Sequence, residues 1–131
     1  MKIHYQENLH GISPPMLEGF GVGWRRPLTG ERLMHVLRGS SAVVLALDNE
    51  QVVGFANALS DGVLMAYLPL LEVKPEYRGK GIGSELVKRM IAKLGSHYGI
   101  DLLCDEKLVP FYQRLGMKHV AGMCLRNYEA L

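Results

Sequence analysis

Between residues 82 and 94, Ile82, Leu86, Val87, Met90, Ile91 and Leu94 recur at helical spacing, with Glu85, Lys88, Arg89 and Lys93 on the opposite face. This pattern predicts an amphipathic helix over Ile82–Leu94, closed by Gly95. A second helix follows Thr29, where Leu33, Val36 and Leu37 share a face. Thr29 can cap it, although Arg32 three places on does not complete a capping box. Val109–Leu115 reads as a third, short helix, with Pro110 in its first turn and Gly116 after its end.

The strand signals are of two kinds. Ser41–Leu47 and Gln51–Leu59 are β-rich runs joined by Asp48-Asn49-Glu50, a hairpin, and Asp61-Gly62 makes the next turn. Val63–Val73 is almost wholly apolar, as a strand buried on both faces would be. Pro69 interrupts it, because proline cannot donate to a ladder, and a bulge is expected there. Lys2–Gln6, Ile100–Cys104, Met117–Ala121 and Met123–Tyr128 complete the strands. The resulting order, β-α-β-β-β-α-β-α-β-β, predicts a mixed α/β fold with a largely antiparallel sheet. With no repeat or linker in 131 residues, a single domain over 1–131 is expected.

Composition narrows the function. A formal net charge of +2, with no Lys/Arg run, gives no footprint for nucleic acid. No apolar stretch is long enough to cross a membrane, and the N-terminus lacks a signal-peptide core. Cys104 and Cys124 have no metal-ligand spacing and the five histidines none either, so no metal is expected. Two reduced thiols fit a cytoplasmic protein.

The chemistry concentrates in Arg78-Gly79-Lys80-Gly81-Ile82-Gly83-Ser84, between the buried strand and the amphipathic helix. Alternating glycines let the backbone approach a ligand and turn its N–H groups toward it. The helix start adds unpaired donors and the positive end of its dipole. Arg78 and Lys80 bring charge to the same mouth, so the loop suits a pyrophosphate. A dinucleotide fingerprint fails, because Ser84 stands where its third glycine should be, and a Walker A loop fails because Gly81 follows Lys80. Another nucleotide remains a rival ligand.

At these residues the chain resembles the GNAT superfamily of N-acetyltransferases. Arg78-Gly79-Lys80-Gly81-Ile82-Gly83 is similar to its Gln/Arg-x-x-Gly-x-Gly/Ala signature, preceded by Val73-Lys74-Pro75-Glu76-Tyr77 for the usual Val-x-Pro-x-Tyr. Phe111-Tyr112-Gln113-Arg114-Leu115-Gly116-Met117 resembles the Phe-Tyr-x-x-Leu-Gly-Phe block, with Met117 in place of phenylalanine. The likeness runs from Ser41 to Tyr128, about two-thirds of the chain.

The resemblance implies acetyl transfer from acetyl-CoA to a primary amine by direct attack. It implies that amides from Gly79 to Ser84 hold the CoA pyrophosphate and that pantetheine pairs with Leu71, Glu72 and Val73 beside a splayed strand pair. Tyr112 then stands at the position of the acid that protonates the CoA sulfur, and a backbone N–H near Leu71 meets the thioester oxygen. Tyr67 aligns with the family's frequent glutamate base. Asp105 occupies the place of a cofactor-contacting asparagine. A homodimer through the last strands is left open.

From the residues themselves, Glu72 points opposite to Leu71 and Val73, and Asp61 serves its turn. Cys104 reads as a small hydrophobe rather than a nucleophile. Phe20, Trp24 and Arg25, in the glycine-rich stretch before the first helix, are candidates for the acceptor pocket, or anchors of a long loop. The acceptor is a small-molecule or peptide amine. A CoA-binding sensor without catalysis is the competing reading.

Overall fold

The computed structural model describes residues 2–131. Strands β1 (His4–Gln6), β2 (Ala42–Asp48), β3 (Gln51–Ser60), β4 (Met65–Tyr67), β5 (Leu71–Val73) and β6 (Gly99–Asp101) alternate with helices α1 (Gly30–Arg38), α2 (Ile82–Lys93) and α3 (Val109–Arg114). The sheet runs β1-β2-β3-β4-β6, with β5 also on β3. Every pairing is antiparallel except β4 with β6.

The β2–β3 hairpin is the centre of the protein. Its turn places Asn49 at φ 56°, the left-handed conformation that asparagine tolerates better than most residues. Alternation along β2 sends Val43, Leu45 and Leu47 to one face, where they meet Leu33, Met34 and Leu37 of α1. Val44 and Ala46 face Ile82, Leu86 and Met90 of α2 on the other. The α2 side of the hairpin is built from small residues, including Ala42, Ala56 and Ala58. They let the helix sit close, so that a Cβ on Gly54 would lie 3.1 Å from Leu86 Cδ1. Thr29 caps α1 as expected, its Oγ1 accepting the Arg32 N–H at 3.1 Å.

The long apolar run breaks at Pro69 into β4 and β5, a larger disruption than a bulge within one strand. Register slips by one residue, from Leu59↔Tyr67 to Ala56↔Leu71. Leu68 donates its N–H to the Asp101 carbonyl at 2.9 Å. Pro69 has none to donate. Leu70 donates to the side chain of Asn57 at 3.1 Å. Asn57, 1% exposed, also donates from Nδ2 to Ser40 Oγ at 3.0 Å, so its amide fills the break. Beyond it the chain leaves β6 and pairs only with β3, and the sheet splays.

The C-terminal expectation fails. Neither Met117–Ala121 nor Met123–Tyr128 forms a strand, and Ile100–Cys104 shortens to Gly99–Asp101. Met123 and Leu125 are 94% and 96% exposed. Their pattern is that of a strand, but neither segment pairs with the sheet.

Candidate functional site

The glycine loop is held from behind. After β5, Pro75–Tyr77 makes one 3-10 turn, and Tyr77 donates its hydroxyl to Asp48 Oδ2 at 2.6 Å, fastening the approach to the end of β2. Gly79 and Gly81 then take φ of 76° and 82°, open only to glycine without strain. Gly81 starts α2 and has no side chain to cap it. The first intrahelical bond is Glu85 N–H to the Gly81 carbonyl. The N–H groups of Ile82, Gly83 and Ser84 therefore project from the helix start with no helical partner. Lys80 is exposed beside them and makes no ion pair among the described residues. Arg78 instead folds back, donating Nε to the Val73 carbonyl at 2.9 Å.

That bond lies on the free edge of β5. Lys74 N–H donates to Val53 and the Leu70 carbonyl accepts from Asn57, so ladder alternation turns the main-chain groups of Leu71 and Val73 away from β3. With Arg78 on the Val73 carbonyl, the Leu71 N–H and carbonyl and the Val73 N–H face the splay. There a cleft of about 240 Å³ opens, walled by Leu68, Pro69, Leu70 and Leu71 on one side and Leu102, Leu103, Cys104 and Leu108 on the other.

Tyr112 and Asp105 also line this cleft. Pro110 starts α3, and Gly116 at φ 94° ends it, with the Met117 N–H bonded to the Tyr112 carbonyl. Phe111 stands edge-on to Tyr112, centroids 4.9 Å apart, and reaches the α2 start: a Cβ on Gly83 would lie 3.6 Å from Phe111 Cζ. Tyr112 is 9% exposed, and no buried side-chain oxygen among the described residues lacks a partner, so its unbonded hydroxyl opens to the cleft. Burial, and secondarily the neighbouring Cys104, push the phenol up to about 12. It therefore holds its proton throughout the neutral range. Asp105 is exposed and precedes a 3-10 turn without capping it by its side chain.

Other expected residues fall elsewhere. Tyr67, more than one-third exposed, faces a second, larger groove and not the cleft. Glu72 turns its side chain to the opposite face of β5, and its backbone pairs with Phe55 of β3, so the structure does not bring the expected cofactor residue Glu72 to the cleft. Its carboxylate accepts the N–H groups of Gly21 and Val22. Phe20 is 1% exposed and packs edge-on against Phe55, centroids 5.1 Å apart, which makes it a core anchor rather than a pocket wall. Trp24 packs on the same core, and exposed Arg25 lies 3.8 Å from Glu129. Asp61 serves its turn as expected, held below the usual carboxylate range by the N–H groups of Leu64 and Val63.

Two contributors escaped the sequence reading. Asn57 was signalled as the lone polar residue in Val52–Leu59. Lys74 carries its Nζ 5.1 Å above the Phe20 ring, and desolvation lowers its pKa; no pattern in the sequence announces that contact.

The chain matches the acetyltransferase (GNAT) family over residues 9–117 and belongs to it. It is similar to a structure described as a candidate acetyltransferase from Deinococcus radiodurans R1, with 48% identity and a TM-score of 0.94 over 97% of this chain and 90% of that one. A GNAT-family acetyltransferase from Streptococcus pneumoniae TIGR4 shares 29% identity at TM-score 0.76, over 96% and 98% of the two chains. An uncharacterized N-acetyltransferase of Pyropia yezoensis is 30% identical over 72% of this chain and 58% of its own length. The chain spans about half the length of the curated relatives it matches. No group of His, Cys, Asp and Glu among the described residues is arranged to hold a metal, and no described helix could cross a membrane.

Proposed function

We propose that the protein transfers an acetyl group from acetyl-CoA to a primary amine within a ternary complex. The observation that carries this is one continuous path: the unpaired N–H groups opening α2, the free edge of β5, and the Tyr112 hydroxyl at the far side of the cleft. These residues fit the donor in sequence. Amides of Gly79–Ser84 with Lys80 meet a pyrophosphate, and Leu71 and Val73 offer strand-like pairing to an amide-bearing arm. Bound acetyl-CoA supplies the activated thioester.

In this reading the Leu71 N–H polarises the thioester carbonyl. The neutral amine attacks, a C–N bond forms, and the C–S bond breaks. Tyr112 gives its proton to the departing sulfur, and bulk water restores it. Neither Glu72, engaged by the loop amides, nor Asp61, engaged by its turn, is free to act as base. The ammonium proton leaves through water in the open cleft. Two free cysteines suit the reducing cytoplasm as its setting.

The test is release of free thiol from acetyl-CoA in the presence of a panel of primary amines, repeated with Tyr112→Phe. Turnover by the native chain and its loss in a variant that still binds CoA support an enzyme. CoA binding with no turnover on any amine supports a sensor.

A further inference from the structure

Apart from Cys104, Asp105 and Tyr112, the described residues that line the cleft carry hydrocarbon side chains. Tyr112, 9% exposed, aims an unbonded hydroxyl into it and holds its proton throughout the neutral range. Asp105 is an exposed carboxylate. Among these three, the Cys104 thiol is the group able to bond reversibly to sulfur. The sequence reading takes Cys104 for a small hydrophobe, a role that goes with burial. The structure does not bury it: Cys104 is an exposed free thiol just after β6. It stands in the wall opposite Leu71, near enough to Tyr112 to add to the upward push on that phenol.

Two sulfurs therefore share one destination. In the reading above Tyr112 protonates the departing CoA sulfur, so its hydroxyl marks where that sulfur rests, and Cys104 lines the same space. A disulfide of CoA held by its pyrophosphate on the α2 amides brings its S–S bond to this point. Exchange needs a thiolate and an accessible disulfide sulfur. Holding the two together raises their effective concentration far above that of free thiols in solution.

We infer that Cys104 is a modification site for CoA disulfide, capturing the bound half as a mixed disulfide inside the donor cleft. The inference rests on the CoA reading of that cleft. Cys104 gives its proton to water and attacks the held sulfur. The S–S bond of the reagent breaks, a Cys104–CoA disulfide forms, and the second CoA leaves as a thiolate that takes up a proton. Cys104 is oxidised and the departing CoA is reduced, so no further oxidant enters. The captured arm blocks acetyl-CoA from the cleft until a free thiol reverses the exchange.

The test is intact-mass and peptide mass spectrometry of the full chain, timed after addition of CoA disulfide or, in parallel, glutathione disulfide. Cys124, also exposed and free, does not line the cleft, so it reports the intrinsic reactivity of the two reagents. The expected result is one CoA on Cys104, with a preference for CoA disulfide over glutathione disulfide at least about tenfold greater than at Cys124. Excess acetyl-CoA should slow the reaction at Cys104 and not at Cys124, and dithiothreitol should restore the native mass. The same preference at both cysteines overturns the inference. Calorimetry of the native chain with CoA then separates the causes: binding means that the donor site stands and Cys104 is out of reach, and no binding means that the reading of the cleft has failed.

Discussion

Glu72 accepts the Gly21 N–H through both carboxylate oxygens, each at 3.0 Å, and takes the Val22 N–H at 3.2 Å. The same strand presents Leu71 to the cleft, so three residues of β5 tie a glycine-rich loop on one face to the cleft on the other. Gly21 has no room for a side chain, since a Cβ would lie 2.6 Å from the Leu28 nitrogen.

Replacing Glu72 by Gln removes the charge and one of the two acceptor oxygens. Hydrogen bonds to charged groups contribute about 1.5–3 kcal/mol each, less at this half-exposed position. The expected outcome is a urea midpoint lower by the equivalent of about 1 kcal/mol, with CoA affinity unchanged by calorimetry. A fall in CoA affinity instead would place Glu72 on the donor side.

Tyr112→Phe should lower kcat by about 10²–10³, within the range of a general acid, and leave CoA binding intact. Its pH dependence has a definite sign. The folded phenol is raised to about 12, above its unfolded value, so its contribution to stability is intact below pH ~10 and is lost as pH rises toward 12. The native chain should lose about 2–3 kcal/mol across that window. Tyr112→Phe should lose correspondingly less, as read by urea unfolding at successive pH values.

Asn57→Leu removes the acceptor of the Leu70 N–H inside the break between β4 and β5. A buried donor left without a partner costs about 1–3 kcal/mol. Urea midpoints should fall accordingly. Acetyl transfer should fall further than stability alone explains, because the break sets the splay.

Two glycines in the loop should behave oppositely. Gly81→Ala meets no neighbouring atom, yet at φ 82° it is strained by about 1–2 kcal/mol. Relief of that strain would turn the loop amides, so CoA affinity should drop at least tenfold. Gly83→Ala has ordinary contact with Phe111 and sits in helical backbone, so it should fold as well as the native chain and retain CoA.

The sequence carried the central hairpin, the three helices and the anion loop plainly, because each rests on local spacing or local turn chemistry. Pro69 pointed to a break in the long apolar run, but its extent depended on Asn57, twelve residues earlier, reaching Leu70. Phe20 and Trp24 read from the sequence either as pocket aromatics or as anchors of a long loop, and only tertiary packing sets them on the core under α1. The last strands differ for another reason: Val120, Met123 and Leu125 have the alternation of a strand, but alternation is local and pairing is not, and neither segment joins the sheet.

The central claim, a CoA site on the α2 amides, is tested most directly by thermal shift with acetyl-CoA, CoA, ATP and NAD. Binding to the folded state alone stabilises by ~2.7 kcal/mol at a hundredfold excess over Kd. The account predicts that only acetyl-CoA and CoA raise the melting temperature, and that Gly81→Ala blunts the rise. No response to CoA, or an equal response to ATP and NAD, would contradict it.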